Sequence, residues 1–102
     1  MAQFDVHKDR KRGRYPLLLD IQVDLLRHLD TRIVVPLARK RGYPAKPMQR
    51  VNPIVVVRGT EYVAVFQELA AILVTELGEL VGSLAAVRPE LITAIDFMIT
   101  GS

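Results

Sequence analysis

The chain has 102 residues, half of them hydrophobic, a formal net charge of +3 and no cysteine. That length suits one small domain over residues 1–102, and the missing thiols exclude disulfides, cysteine nucleophiles and thiolate metal sites. No run approaches the ~20 continuous apolar residues of a membrane helix, and no cationic start leads into a cleavable apolar segment. A soluble, cytoplasmic protein with no membrane partner is expected.

Charge is divided along the chain. Residues 1–58 hold 13 of the 14 Lys and Arg against five Asp, whereas residues 59–102 hold Arg88 alone against six acids. Such asymmetry suits a surface for an acidic partner, polypeptide or nucleic acid; solubilisation of two basic loops is the plainer alternative.

Residues 3–7 alternate around Phe4 and Val6 as a half-buried strand does, with His7 closing it as a surface residue. Lys8, Arg10, Lys11, Arg12 and Arg14 surround Gly13 in a segment that cannot bury anything, an exposed basic loop. Residues 15–20 resume an apolar strand, and residues 32–37 form a β-branched one whose Pro36 predicts an edge or a bulge. A second basic loop over residues 38–52 collects Arg39, Lys40, Arg41, Lys46 and Arg50 around Gly42, Pro44 and Pro47.

Residues 54–66 predict a hairpin. Gly59-Thr60 fits a type II′ link with glycine first, which sets Arg58 opposite Glu61. Residues 67–77 are ambiguous: Gln67 to Ala71 has helix-forming composition, Ile72 to Thr75 suits a strand, and propensity slightly favours helix. A final helix begins near residues 86–88, runs to about Ile99 and is capped by Gly101, with Pro89 and Glu90 suited to its first turn. Leu91, Ala94, Ile95 and Met98 form its inner stripe, flanked by Ile92 and Ile99. Phe97 projects to the opposite side and marks a second packing surface. The pattern is an antiparallel β domain with one C-terminal helix, curled into a small barrel.

Catalytic chemistry is scarce. His7 and His28 are the only imidazoles, both read as surface residues, and Glu76 and Glu79, neighbours if helical, are read as solvated. No metal-ligand, P-loop or Gly-x-Ser-x-Gly spacing occurs, so no metal, cofactor or catalytic residue is assigned. Tyr15 and Tyr43 are the aromatics beside the basic loops, too few for a stacking platform. A binding protein is expected.

Several segments taken together resemble the CcdB family, toxins of bacterial type II toxin–antitoxin pairs. They are Gln3-Phe4, Arg14-Tyr15, Leu19-Asp20-Ile21-Gln22 with Asp24-Leu25-Leu26, Thr31-Arg32-Ile33-Val34-Val35-Pro36-Leu37, and Ala94-Ile95-Asp96-Phe97-Met98 before Gly101. The resemblance implies an SH3-like barrel or five-stranded antiparallel sheet with a small extra hairpin and a C-terminal helix, assembled as a homodimer. It also implies a strand at residues 72–75, against the propensity reading. The family's dimer binds the A subunit of DNA gyrase and traps it on cut DNA without catalysing a reaction.

Carried over residue by residue, the gyrase surface would be Leu25, Leu26, Asp96, Ile99, Thr100, Gly101 and Ser102, with Leu25 and Phe97 at the dimer interface. A CcdA-like antitoxin with an acidic, disordered segment would bind Lys8, Arg10, Lys11, Arg12, Arg14, Arg39, Lys40, Arg41, Lys46 and Arg50. The two proteins together would repress their operon, operator DNA being read through the antitoxin. The chain departs from the best-known member in ending Thr100-Gly101-Ser102 instead of Trp-Gly-Ile, and in carrying Arg88 where an acid is expected. Two alternatives follow: a MazF-like endoribonuclease using Arg14, Thr31 and Arg32, and an inactive relative that retains antitoxin binding alone.

Overall fold

A computed structural model describes residues 2–48 and 50–101. Within them, antiparallel strands β1 (Asp5–Asp9), β2 (Leu17–Asp20), β3 (Thr31–Arg39), β4 (Ile54–Val57), β5 (Thr60–Ala64), β6 (Ala70–Leu73) and β7 (Leu77–Ser83) precede helix α1 (Arg88–Thr100). The order is β4-β5-β3-β2-β1-β7, with β6 also paired to β3. This is the expected mainly β fold, a curled half-barrel with one C-terminal helix: β6, β3, β2, β1 and β7 make five strands, and β4–β5 is the added hairpin.

β3 organises the sheet. One edge pairs with β2; the other pairs first with β6 through Thr31 to Val34, then with β5 through Leu37 to Arg39. Pro36 sits inside this strand and is buried, so it marks neither an edge nor a bulge. In a strand the N–H and C=O of one residue point the same way, and the Pro36 carbonyl accepts from Val65 N–H at 3.0 Å. Its missing N–H therefore falls where β3 changes partner, and the β2 ladder is untouched.

The inner face packs Val6, Leu17, Leu19, Val35, Leu37, Val55, Val57, Tyr62 and Val81 into the main core. Leu91 and Ala94 of α1 are wholly buried against Phe4, Phe66 and Leu84, with Ile92, Ile95 and Met98 beside them. That arrangement follows the inner stripe read from the sequence. Gly101 caps the helix in the left-handed conformation, its N–H donating to Phe97 O.

Further local readings differ. The hairpin turn is Arg58-Gly59, both at positive φ (50° and 79°), with Val57 opposite Thr60 and Glu61 opposite Val56. This is a type I′ geometry, the turn whose twist matches the strands, and Arg58 does not face Glu61. Residues 67–77 are not a helix, because β6 fills the open side of β3 between 3₁₀ turns Phe66–Glu68 and Val74–Glu76. The implied strand at 72–75 lies two residues earlier. β7, absent from the sequence reading, supplies the neighbour of β1. His7 lies within β1 and is only 5% exposed, its Nδ1 3.1 Å from Gly78 O, so it is not a surface residue. β1 is an inner strand between β2 and β7, and the ring reaches across to the β7 backbone at Gly78.

Candidate functional site

The basic loops border two hollows that share Tyr15, Pro16 and Arg39. The first, about 500 Å³, is lined by Lys8, Arg12, Arg39 and Arg58 over apolar residues of the inner sheet face. The second, about 480 Å³, gathers Arg14, Arg41 and Tyr43 around Tyr15. Tyr15 donates to Glu68 Oε2 at 2.7 Å, and the Arg14 guanidinium lies 5.3 Å from the Tyr15 ring centre. Burial, then the hydrogen bond to Glu68 and the charge of Glu68, push the Tyr15 phenol above its ordinary value.

The loop between β1 and β2 is built on one carboxylate. Asp9 accepts from Lys11 N–H and Gly13 N–H, both at 3.0 Å. A Cβ on Gly13 would stand 2.7 Å from Asp9 Oδ2, so a larger residue there would push that carboxylate off its two N–H donors.

Of the cations predicted to meet an antitoxin, Lys8, Arg12, Arg14, Arg39 and Arg41 line these hollows. Lys40 pairs with Glu61 at 3.6 Å, Lys11 with Glu76 at 3.5 Å and Lys8 with Glu79 at 3.3 Å. These exposed pairs hold little energy and yield to a better partner. Arg10 and Lys46 are exposed but line neither hollow. Arg50 stands apart, its guanidinium 5.5 Å from the Phe97 ring centre. Phe97 is consequently half-buried within its own chain.

The residues predicted to meet gyrase lie on two elements. Leu25 and Leu26 occupy a 3₁₀ turn, Asp24–Leu26, with Leu25 80% exposed. Asp96, Ile99, Thr100 and Gly101 are exposed on the last turn of α1 and its cap, Ile99 at 68%. Thr100 Oγ1 donates to Asp96 O. Ser102 lies outside the described residues.

A buried polar network holds the 3₁₀ turn, and the sequence reading missed its structural role. Arg32 and Asp20 have wholly buried side chains and pair through Nε at 2.9 Å and Nη2 at 2.6 Å. Asp20 also accepts from Gln22 N–H; Gln22 in turn donates to Leu26 O and accepts from Ile33 N–H. Burial pushes the Asp20 carboxyl above its ordinary value, outweighing the pull of Arg32 and of Gln22 N–H. Gln3 links the same region to α1: its N–H donates to Asp24, its amide to Ile21 O, and its Oε1 accepts from Arg88. The alternation Asp20-x-Gln22 was the one visible sign, since polar residues continuing a buried strand need partners.

Among the described residues, no three His, Asp or Glu side chains come close enough to hold a metal ion, and no helix is long and apolar enough to cross a membrane.

The half-barrel with its closing helix defines a class of small proteins. A solved structure of Mycobacterium tuberculosis toxin MazF-mt6 superposes with TM-score 0.72 at 21% identity, covering 90% of this chain and 92% of that one. An endoribonuclease in complex with its cognate antitoxin, from a mycobacterial species, gives 0.74 at 17% identity, covering 94% and 91%. A further mycobacterial endoribonuclease gives 0.74 at 15% identity, covering 94% and 88%. At these identities the likeness is one of fold. The CcdB protein family model matches residues 3–101, and the chain belongs to that family.

Proposed function

We propose that the protein is the toxin of a type II toxin–antitoxin pair, acting as a homodimer that binds the A subunit of DNA gyrase and traps it on cut DNA. Membership of the CcdB family over nearly the whole chain carries this reading. In it, the gyrase-facing surface is made of Leu25 and Leu26 near the dimer axis together with Asp96, Ile99, Thr100, Gly101 and Ser102. A CcdA-like antitoxin lays an acidic segment along the basic loops; the relative of like fold bound to its cognate antitoxin supports such a partner. The two proteins repress their operon together, the antitoxin reading the operator.

Likeness of fold to two mycobacterial endoribonucleases is what supports an endoribonuclease reading. Against it, Arg32 is buried and paired with Asp20, out of reach of an RNA substrate. Thr31 and Arg14 alone then remain of its three proposed groups.

The test is induction of the chain in cells that lack the antitoxin. Growth arrest with accumulation of cleaved DNA bound to gyrase is the expected result, and purified protein should leave single-stranded RNA intact. Normal growth at high toxin levels would overturn the proposal. Growth that stops only after Thr100→Trp would point to an inactive relative.

A further inference from the structure

The two ends of the half-barrel are finished differently. One is closed by α1, whose Leu91 and Ala94 complete the core with Phe4, Phe66 and Leu84. The other is bounded by the β1–β2 loop, the start of β2, the end of β3 and the β4–β5 turn, and it is open: this is the 500 Å³ hollow. Its floor is Leu17, Val57, Tyr62 and Val81, all members of the main core. An opening onto the core with a few polar groups at its lip is a common ligand-site design in small barrels.

The lip is cationic. Lys8 answers Glu79, but Arg12, Arg39 and Arg58 have no acidic partner among the described residues. The carboxylate at the lip, Asp9, is engaged by the loop's own N–H groups. Arg12 and Arg58 both sit on left-handed backbone, at φ 51° and 50°. A bulky residue there costs stability, and such costs collect at binding sites.

We propose that this mouth is an anchor pocket for one large apolar side chain carried on an acidic peptide, whose flanking carboxylates meet Arg12, Arg39 and Arg58. The proposal rests on the reading of an acidic antitoxin segment and adds where its apolar anchor goes. Cations alone would accept any polyanion; the apolar floor selects a peptide with a hydrophobic residue among acids, because a buried anchor carries most of an interface's energy. A nucleic acid strand fits less well, since of the two rings at the mouth Tyr62 is buried and Tyr15 is tied to Glu68 with the Arg14 guanidinium against its ring, which leaves no row of free rings for stacking.

The chain contains no tryptophan, so tryptophan emission from a bound peptide has no background. The probe is an acetylated nonapeptide of Glu and Asp with one central tryptophan, compared with its alanine twin. The tryptophan peptide should bind at least about tenfold more tightly, with emission shifted to the blue. Arg39→Glu, and separately the exposed pair Arg12→Glu with Arg58→Glu, should each weaken it by about tenfold or more while far-ultraviolet circular dichroism stays unchanged. Equal affinity of the twins, or unshifted emission, would overturn the pocket and leave the acidic-segment reading standing. Binding of neither peptide would remove both. An oligothymidylate that displaces the tryptophan peptide and binds more tightly would also overturn the proposal, assigning the mouth to nucleic acid.

Discussion

Arg32 and Asp20 show what one buried pair does. Removing one partner of such a pair strands the other charge without water, typically at ~3–5 kcal/mol. Arg32→Met should lower stability by about that much at neutral pH. It also leaves the burial of Asp20 unopposed, so the carboxyl, already above its usual 3.8, rises further. A native state that holds a proton more tightly than the unfolded chain is favoured below the ordinary carboxylate value and loses that advantage as pH rises through the raised one. The gap between wild type and Arg32→Met should therefore widen from the raised value of wild-type Asp20 towards neutrality in denaturant titrations. A gap independent of pH would refute this account of Asp20. Because Gln22 ties the pair to Leu26 O, the variant should also loosen the turn that displays Leu25.

At the scale of elements, the β4–β5 hairpin separates what is local from what is not. Two β-rich runs around Gly59 require a reversal, and the hairpin was legible for that reason. Its register was not, because Arg58-Gly59 and Gly59-Thr60 both place glycine in a two-residue turn. The right-handed twist of the strands selects type I′ and leaves Arg58 at positive φ. Asparagine tolerates that conformation better, so Arg58→Asn should gain about 1 kcal/mol and raise the melting temperature by ~5 °C. A lower melting temperature would contradict the strain. The same substitution should weaken the acidic tryptophan peptide by removing a lip cation. β6 and β7 illustrate a different failure. Ala70 and Ala71 carry helix propensity, but the open edge of β3 offers backbone partners that a single turn of helix cannot match.

For the molecule as a whole, the surface is unevenly finished. Val23, Leu25, Leu26 and Leu29 cluster in one exposed segment, the kind of apolar surface that marks an interface. In the proposed homodimer Leu25 meets the second copy, while the rest of the segment stays open beside the axis for gyrase. Light scattering with size exclusion should give twice the chain mass for wild type, and Leu25→Asp should give a monomer of unchanged circular dichroism. A monomeric wild type at micromolar concentration would refute the dimer. The basic loops at the barrel mouth and the apolar turn beside the Asp20–Arg32 pair use separate elements, so antitoxin contact and gyrase contact can be altered independently by substitution.

The sequence by itself determined the elements with strong periodicity or turn chemistry: the strands around Val6, Leu19 and Val35, the hairpin at Gly59, and α1 with Pro89 at its start and Gly101 at its end. It also determined the concentration of cations in two loops, because charge needs no fold to be counted. Tertiary structure alone decided that Pro36 belongs in a central strand, that residues 70–73 pair instead of coiling, and that His7 and Arg32 are interior. It alone brought Arg12, Arg39 and Arg58, up to 46 positions apart in the chain, to the lip of one apolar mouth. The reason is that periodicity reports only which face of an element is apolar, whereas the partner of that face depends on backbone pairing between distant segments.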